Sequence, residues 1–83
     1  MSKGVTFEQL KKALNEFGFE SQQGGSHVTF RHLGTGVVVT VPNTQGTVRP
    51  IYVSNAAHQI ANSGIGTASS FEIKLEKATK NPS

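Results

Sequence analysis

Apolar residues near the start of the chain recur with the period of a helix. Four of them are spaced three or four positions apart, which places them on one helical face: Phe7, Leu10, Leu14 and Phe17. Thr6 stands just before this run and Gln9 lies three residues later, so the two side chains suit a capping box. Gly18 suits the left-handed turn that ends many helices. The pattern therefore predicts a first helix that starts after Thr6 and ends before Gly18.

The following segment alternates between apolar and polar residues with the period of β-strands. We predict three strands, over residues 19–22, 27–32 and 37–41, joined by glycine-containing turns of which the first is Gly24-Gly25. Successive side chains of a strand point to opposite faces. One face of the predicted sheet collects the apolar residues Val28, Phe30, Val39 and Val41. The other face collects His27, Thr29, Arg31 and Thr40.

The second half of the chain predicts two further helices. Apolar residues at helical spacing end near residue 63, and this helix starts either at Thr47 or at Ser54. Ser69 and Glu72 form a second capping box, for a last short helix. A helix, a three-stranded antiparallel meander and a second helix make an α+β fold, in which both helices cover one face of the sheet. The other face of the sheet stays open.

The amino-acid composition excludes several classes of site. The 83 residues make one small domain with room for a shallow site only. The chain has no cysteine and no aspartate, which excludes disulfides, thiolate zinc sites, cysteine nucleophiles and a Ser-His-Asp triad. A zinc site would have to use the three histidines with no acid beside them, so we expect neither a metal nor a cofactor.

Charge is unevenly distributed along the chain, whose formal net charge is +3. All five acids are glutamates, and none lies between Glu20 and Glu72, whereas Arg31, Arg49 and all three histidines do. A weakly positive middle favours a polyanionic partner, because phosphates are bound by arginine, lysine and backbone amides. The chain shows no apolar leader and no run of the length of a membrane span, so we expect a soluble, cytoplasmic protein.

The candidate catalytic residue is a histidine that follows a glycine turn and starts a strand. His27 follows this turn and shares its face of the sheet with Arg31. Histidine can act as an acid or as a base near neutral pH. His32, by contrast, shares the face of Phe30 and is predicted to be structural. His58 lies on a helix and is predicted to face solvent.

Six short motifs follow one another along the chain: Phe17-Gly18-Phe19, Gly25-Ser26-His27, Phe30-Arg31-His32, Val39-Thr40-Val41-Pro42, Gly46-Thr47-Val48-Arg49 and Gly64-Ile65. Together they resemble the HicA family of bacterial toxins over roughly residues 6–65. Members of this family are small messenger-RNA interferases with a double-stranded-RNA-binding-domain-like fold. The resemblance implies that residues 1–83 form one HicA-like domain, in which residues 66–83 are a C-terminal extension.

The resemblance also implies a function and a partner. His27 matches the catalytic histidine of the family, and the expected partner is a HicB-type antitoxin that covers the site. RNA can be cleaved without a metal when its own 2′-hydroxyl attacks the adjacent phosphate, so one histidine can serve as general acid and base. The expected RNA contacts are the glycine turn and two arginines, namely Gly24, Gly25, Ser26, Arg31 and Arg49.

Two other functions remain open on the sequence. One is an RNA-binding module of the same fold without catalysis, whose binding depends on Arg31 and the lysines rather than on His27. The other is a structural or interaction protein that holds a partner on the open strand face or on the C-terminal helix. Gln22 and Gln23 stand where the family usually carries a basic residue, and they give weight to both alternatives.

Overall fold

The computed structural model describes residues 4–43 and 46–79. Its elements are, in chain order, β1 (Val5–Thr6), α1 (Phe7–Glu16), β2 (Phe19–Gly24), β3 (His27–His32), β4 (Val38–Pro42), β5 (Thr47–Val48), α2 (Pro50–Asn62) and α3 (Ala68–Thr79). Helix, three-stranded antiparallel sheet, helix and short C-terminal helix confirm the predicted α+β class and match a double-stranded-RNA-binding-domain-like fold. Within the described ranges, no helix combines the length and the apolar character that crossing a membrane requires.

The first helix begins and ends as the sequence predicts. The Gln9 backbone N–H donates to Thr6 Oγ1 at 3.1 Å, and the Thr6 N–H donates to Gln9 Oε1 at 2.7 Å, which completes the capping box. Beyond the other end, Gly18 has a φ of +93°, a left-handed conformation that glycine adopts without strain. Leu10 and Leu14 of the apolar stripe are fully buried.

The three-stranded sheet has the order β2-β3-β4, and both pairings are antiparallel. The loop between β2 and β3 is Gly25-Ser26, whereas the sequence pattern predicted a turn at Gly24-Gly25; Gly24 is the last residue of β2. Gly25 has a φ of +72°, which suits the first position of a two-residue hairpin loop. As a result His27 pairs with Gly24 on one side and with Pro42 on the other.

The core lies between one face of this sheet and the helices. α1 packs on β2 and α2 packs on β4, while α3 packs on both of these helices. The four strand residues predicted for the covered face are at most 5% exposed: Val28, Phe30, Val39 and Val41. The opposite face is open and carries the predicted polar residues, of which Thr29 alone is half-buried. The sheet therefore presents His27 to solvent and keeps its apolar partners inside.

The second helix begins at neither of the two positions that the sequence pattern left open, Thr47 and Ser54. Arg49 is its N-cap residue and Pro50 is its first helical residue, where the missing N–H of proline costs no hydrogen bond. Residues 47–48 instead form β5, which pairs with β1. Strands of two residues are too short to show periodicity, so the sequence carries no signal for this pairing.

The last helix begins at Ala68, and its capping residue lies two positions before the predicted Ser69. The Ser70 backbone N–H donates to Thr67 Oγ1 at 3.0 Å, and the Thr67 N–H donates to Ser70 Oγ at 3.1 Å. This reciprocal pair replaces the predicted capping box of Ser69 and Glu72. The hydroxyl of Ser70 takes the part that a glutamate or glutamine side chain plays in the common form of the motif.

The last helix is part of the hydrophobic core. Phe71 is fully buried and Leu75 is 6% exposed. The Phe71 ring meets the Phe17 ring edge to face, with their centroids 5.9 Å apart. At the surface, Lys74 Nζ lies 2.9 Å from Glu16 Oε1. The apolar contact contributes most to the docking of α3 on α1, because exposed ion pairs add little stability.

Candidate active site

His27 is the first residue of β3 and lies on the open face of the sheet. Its side chain is exposed, and it directly follows the Gly25-Ser26 loop. A Cβ atom added to Gly24 or to Gly25 would meet no other atom within 4 Å. The backbone beside the histidine therefore borders open space, so a bulky ligand can approach both the ring and the loop.

The neighbouring serine contacts the imidazole ring. Ser26 Oγ lies 3.3 Å from His27 Nδ1, and either atom can donate, depending on the ring tautomer. When Nδ1 donates to Ser26 Oγ, the lone pair of Nε2 is available to take a proton from a ligand. A ring protonated on both nitrogens can return that proton. The arrangement therefore permits general acid and base chemistry at Nε2.

Strand pairing brings Pro42 close to His27. The Asn43 N–H donates to the Ser26 carbonyl at 2.8 Å, which identifies His27 and Pro42 as a non-hydrogen-bonded pair of the antiparallel ladder. Side chains approach each other most closely in such pairs, with Cβ atoms about 4.5–5.5 Å apart. Pro42 therefore borders the space around the histidine.

Pro42 also lines a shallow hollow of about 250 Å³, which we call the Tyr52 hollow. The other residues that line it are Thr47, Val48, Arg49 and Tyr52. Arg49 is exposed and Tyr52 is half-buried. Arg49, a predicted RNA contact, thus lines a hollow that shares Pro42 with the surroundings of the candidate histidine. The sequence analysis missed Tyr52, because its position depends on where α2 starts and no motif or periodicity distinguishes it.

Arg31 shares the face of His27 but does not lie beside it. The two residues are four positions apart on β3, about 13 Å at the usual rise of a strand. Glu20 is the cross-strand partner of Arg31, so its carboxylate lies at the same end of the open face. The strand pairing thus brings an acid to Arg31, although no acid lies between Glu20 and Glu72 in the sequence. Pro42 connects the hollow that Arg49 lines to the candidate histidine, whereas Arg31 lies four strand positions away from it.

His32 has the structural position predicted from its place on the covered face. Its Nδ1 accepts the backbone N–H groups of Gly34 and Thr35 at 3.1 and 3.0 Å. Its ring packs against Phe19, with the centroids 5.1 Å apart. A Cβ atom added to Gly18 or to Gly34 would lie 3.1 Å from this ring. His32 therefore fills a slot between two glycines and holds the turn between β3 and β4.

The third histidine, His58, is exposed on α2, as predicted. The three histidines thus occupy separate environments: His27 adjoins the β2–β3 loop, His32 holds the β3–β4 turn, and His58 lies on a helix. Among residues 4–43 and 46–79, no three histidine, cysteine, aspartate or glutamate side chains are grouped so that they could hold a metal ion.

The sequence matches the model of a known protein family. The sequence model of that family, described as "HicA toxin of bacterial toxin-antitoxin", matches residues 7–61, which is more than half of the chain. No curated protein and no solved structure matches the chain significantly. The matched residues include His27 with its loop, the whole three-stranded sheet, and both Arg49 and Tyr52.

Proposed function

Because the chain belongs to the HicA toxin family of bacterial toxin–antitoxin systems, we propose that it is a metal-independent endoribonuclease with His27 as general acid and base. The observation that carries the proposal is the position of this histidine. It is exposed, it starts a strand, and the glycine loop beside it borders open space. The proposed substrate is messenger RNA, and the proposed site of action is therefore the cytoplasm.

RNA supplies its own nucleophile, and for this reason so small a site suffices. The 2′-hydroxyl oxygen attacks the adjacent phosphorus, and Nε2 of His27 takes the hydroxyl proton as the 2′-O–P bond forms. The P–O5′ bond breaks, and the departing 5′ oxygen takes a proton from the same ring or from water. The products are a 2′,3′-cyclic phosphate and a 5′-hydroxyl end. Proton transfer by one histidine accounts for a rate gain of about 10²- to 10⁴-fold.

We assign the scissile phosphate to the loop and to Arg49. The backbone at Gly24 and Gly25 borders open space, so a phosphate can approach the loop, where Gly25 and Ser26 carry backbone amides that can donate to it. Arg49 lines the neighbouring hollow and supplies positive charge for the transition state. Arg31 remains a predicted contact for a phosphate farther along the RNA.

A toxin of a toxin–antitoxin system has an antitoxin, and we propose a HicB-type protein as the partner. The exposed position of His27 at one end of the open sheet face supports this proposal. A protein that covers this end of the sheet blocks access of RNA to the ring and to the loop together. Inhibition then needs no change in the fold of the toxin.

The test is cleavage of messenger RNA by the purified protein, free of antitoxin, in the presence of EDTA. We expect the wild type to cleave RNA and to leave cyclic phosphate ends. His27→Ala should lose about 100-fold or more in rate, as expected for removal of a general base. His58→Ala is the matched control, because it removes another exposed histidine and should keep the wild-type rate. Growth arrest on expression should likewise require His27.

Two results would contradict this mechanism. Cleavage by His27→Ala at the wild-type rate would remove the histidine from the chemistry, and activity that EDTA abolishes and Mg²⁺ restores would exclude a metal-independent reaction. If the folded wild type binds RNA without cleaving it, and His27→Ala binds equally well, the protein is an RNA-binding module instead. Circular dichroism establishes that each variant is folded.

A further inference from the structure

The Tyr52 hollow has the size and the composition of a site for one flat ring and one anion. Its volume is about 250 Å³. Pockets for drug-sized ligands begin at about 300 Å³, so this hollow suits a single base rather than a larger molecule. The hollow adjoins the candidate active site, because Pro42 both lines it and is the cross-strand partner of His27.

Tyr52 supplies the hollow with an aromatic ring. Its side chain is half-buried and packs against the hydrophobic core, which restricts its motion. The phenylalanines of the chain are all buried or packed half-buried in the core: Phe7, Phe17, Phe19, Phe30 and Phe71. An aromatic ring that lines an open hollow is a common platform for unpaired bases, because every base has a π-face on which to stack.

The charge around this ring favours a nucleic acid over an ordinary peptide. Arg49 is exposed and is the N-cap residue of α2. The described residues that line the hollow include no acid, and the sequence of α2 contains none. A guanidinium group beside an aromatic ring can bind the two parts of a nucleotide, its phosphate and its base.

We propose that Arg49 binds the scissile phosphate and that Tyr52 stacks the unpaired base of the nucleotide that carries this phosphate, next to the bond that His27 cleaves. The inference rests on the proposed function for its substrate and adds the site of the neighbouring nucleotide. Because stacking accepts every base, this subsite positions single-stranded RNA without selecting a sequence by itself. Bases within an RNA duplex are already stacked and cannot use it.

The test exploits the fluorescence of a single residue. The chain has one tyrosine and no tryptophan, so its tyrosine emission reports Tyr52 alone. The probe is a short, unstructured single-stranded RNA titrated into the His27→Ala protein, which is expected to bind RNA without cutting it. We expect the RNA to quench the emission, after correction for absorbed light with free tyrosine amide. Inorganic polyphosphate carries the charge without the bases and should bind without quenching.

Variants of Tyr52 separate stacking from packing. In the His27→Ala protein, Tyr52→Leu should bind this RNA, labelled with a dye and followed by fluorescence anisotropy, about tenfold more weakly, because one base loses its platform. Tyr52→Phe keeps the ring and should stay within about twofold of the parent. Circular dichroism and urea unfolding show whether the variants keep the core intact. If Tyr52→Leu fails to fold, the comparison of RNA with polyphosphate decides the question.

The proposal is overturned if folded Tyr52→Leu binds the RNA as tightly as its parent, or if bound RNA leaves the emission unchanged. Either result would mean that no base of the RNA stacks on Tyr52. The proposed function fails separately. If the wild type binds RNA through Tyr52 and never cleaves it, the proposed subsite stands and the proposed nuclease activity is wrong. If the wild type cleaves RNA and Tyr52→Leu binds RNA normally, the nuclease activity stands and the subsite is wrong.

Discussion

The two ends of β3 carry histidines in opposite surroundings. His32 accepts two backbone N–H groups at Nδ1, and Gly18 and Gly34 leave little more than the room its ring needs. His27 is exposed, with the Ser26 hydroxyl at 3.3 Å from its Nδ1. A side chain that fixes a turn needs the first environment, and a side chain that exchanges protons with a substrate needs the second.

Alanine substitutions at two glycines test how firmly the ring of His32 is held. Gly18 and Gly36 both have left-handed φ angles, +93° and +80°. A methyl group on Gly18 would lie 3.1 Å from His32 Nε2, whereas one on Gly36 meets nothing within 4 Å. We expect Gly36→Ala to lower the free energy of unfolding by about 1 kcal/mol through backbone strain. Gly18→Ala should lower it by about 1 kcal/mol more, through overpacking.

Urea denaturation, followed by circular dichroism, measures both changes. The slope of unfolding free energy against urea should be the same for both variants, which would show that the native states are equally compact. Equal losses of stability at the two glycines would mean that the His32 ring shifts at no cost, contrary to a fixed slot.

The sequence distinguishes these two histidines without the structure. His27 and His32 are an odd number of positions apart on one strand, so they must face opposite sides of the sheet. Tyr52 and Pro42 could not be found in this way. Their proximity depends on the register of β4 and on the residue at which α2 begins, and contacts between distant segments of the chain set both.

At the scale of elements, the last helix and the rest of the domain share one core. Phe71 is fully buried against the other helices, and the Phe71 ring contacts Phe17 at the end of α1. The division of the chain into a family core, residues 6–65, and an extension, residues 66–83, remains a prediction. Physically, removal of α3 would expose the apolar faces of both α1 and α2 to water.

Two substitutions on α3 test this packing. Phe71→Ala should lower the free energy of unfolding by about 3–5 kcal/mol, through lost burial and the cavity left behind. Ile73→Ala is the matched control on the same helix, because Ile73 is 55% exposed. It should change stability by no more than about 0.5 kcal/mol. Thermal unfolding compares the two, and similar melting temperatures would show that α3 does not unfold cooperatively with the rest.

The elements differ in how much of their boundaries the sequence could predict. α1 was predicted at both ends, because its capping box and Gly18 are local signals. The start of α2 was not predicted, because its N-cap residue Arg49 makes no side-chain cap hydrogen bond. The strand that precedes α2, β5, is defined only by its pairing with β1. The cap of α3 was misplaced because Thr67 and Ser69 are both suitable capping residues.

Across the whole molecule, folding brings together charges that are distant in the sequence. Strand register places Glu20 opposite Arg31, and helix packing places Lys74 at Glu16. Arg49 has a different setting, since the described residues that share its hollow include no acid. For an anionic ligand near the candidate histidine, Arg49 is therefore expected to contribute more binding energy than Arg31.

Charge-neutral variants of the two arginines test this distribution. Arg49→Gln should lower kcat/KM for RNA cleavage by about tenfold, as expected for the loss of a charged hydrogen bond. In the His27→Ala protein it should also reduce the salt dependence of RNA binding by about 0.7 in the log–log slope, the value for one phosphate of a single strand. Arg31→Gln removes the same charge and should change both quantities less. A larger effect at Arg31 would mean that RNA runs along the open face of the sheet.

Pro42 also governs how the sheet can grow. β4 is an edge strand, and in its non-hydrogen-bonded pairing with His27 the backbone of residue 42 faces away from β3, toward the free edge. Proline has no N–H to offer there. A strand from another copy of the chain, added along this edge, would lack a hydrogen bond at the point nearest the candidate histidine. The residue that borders the site thereby makes the adjoining edge a poorer template for an added strand.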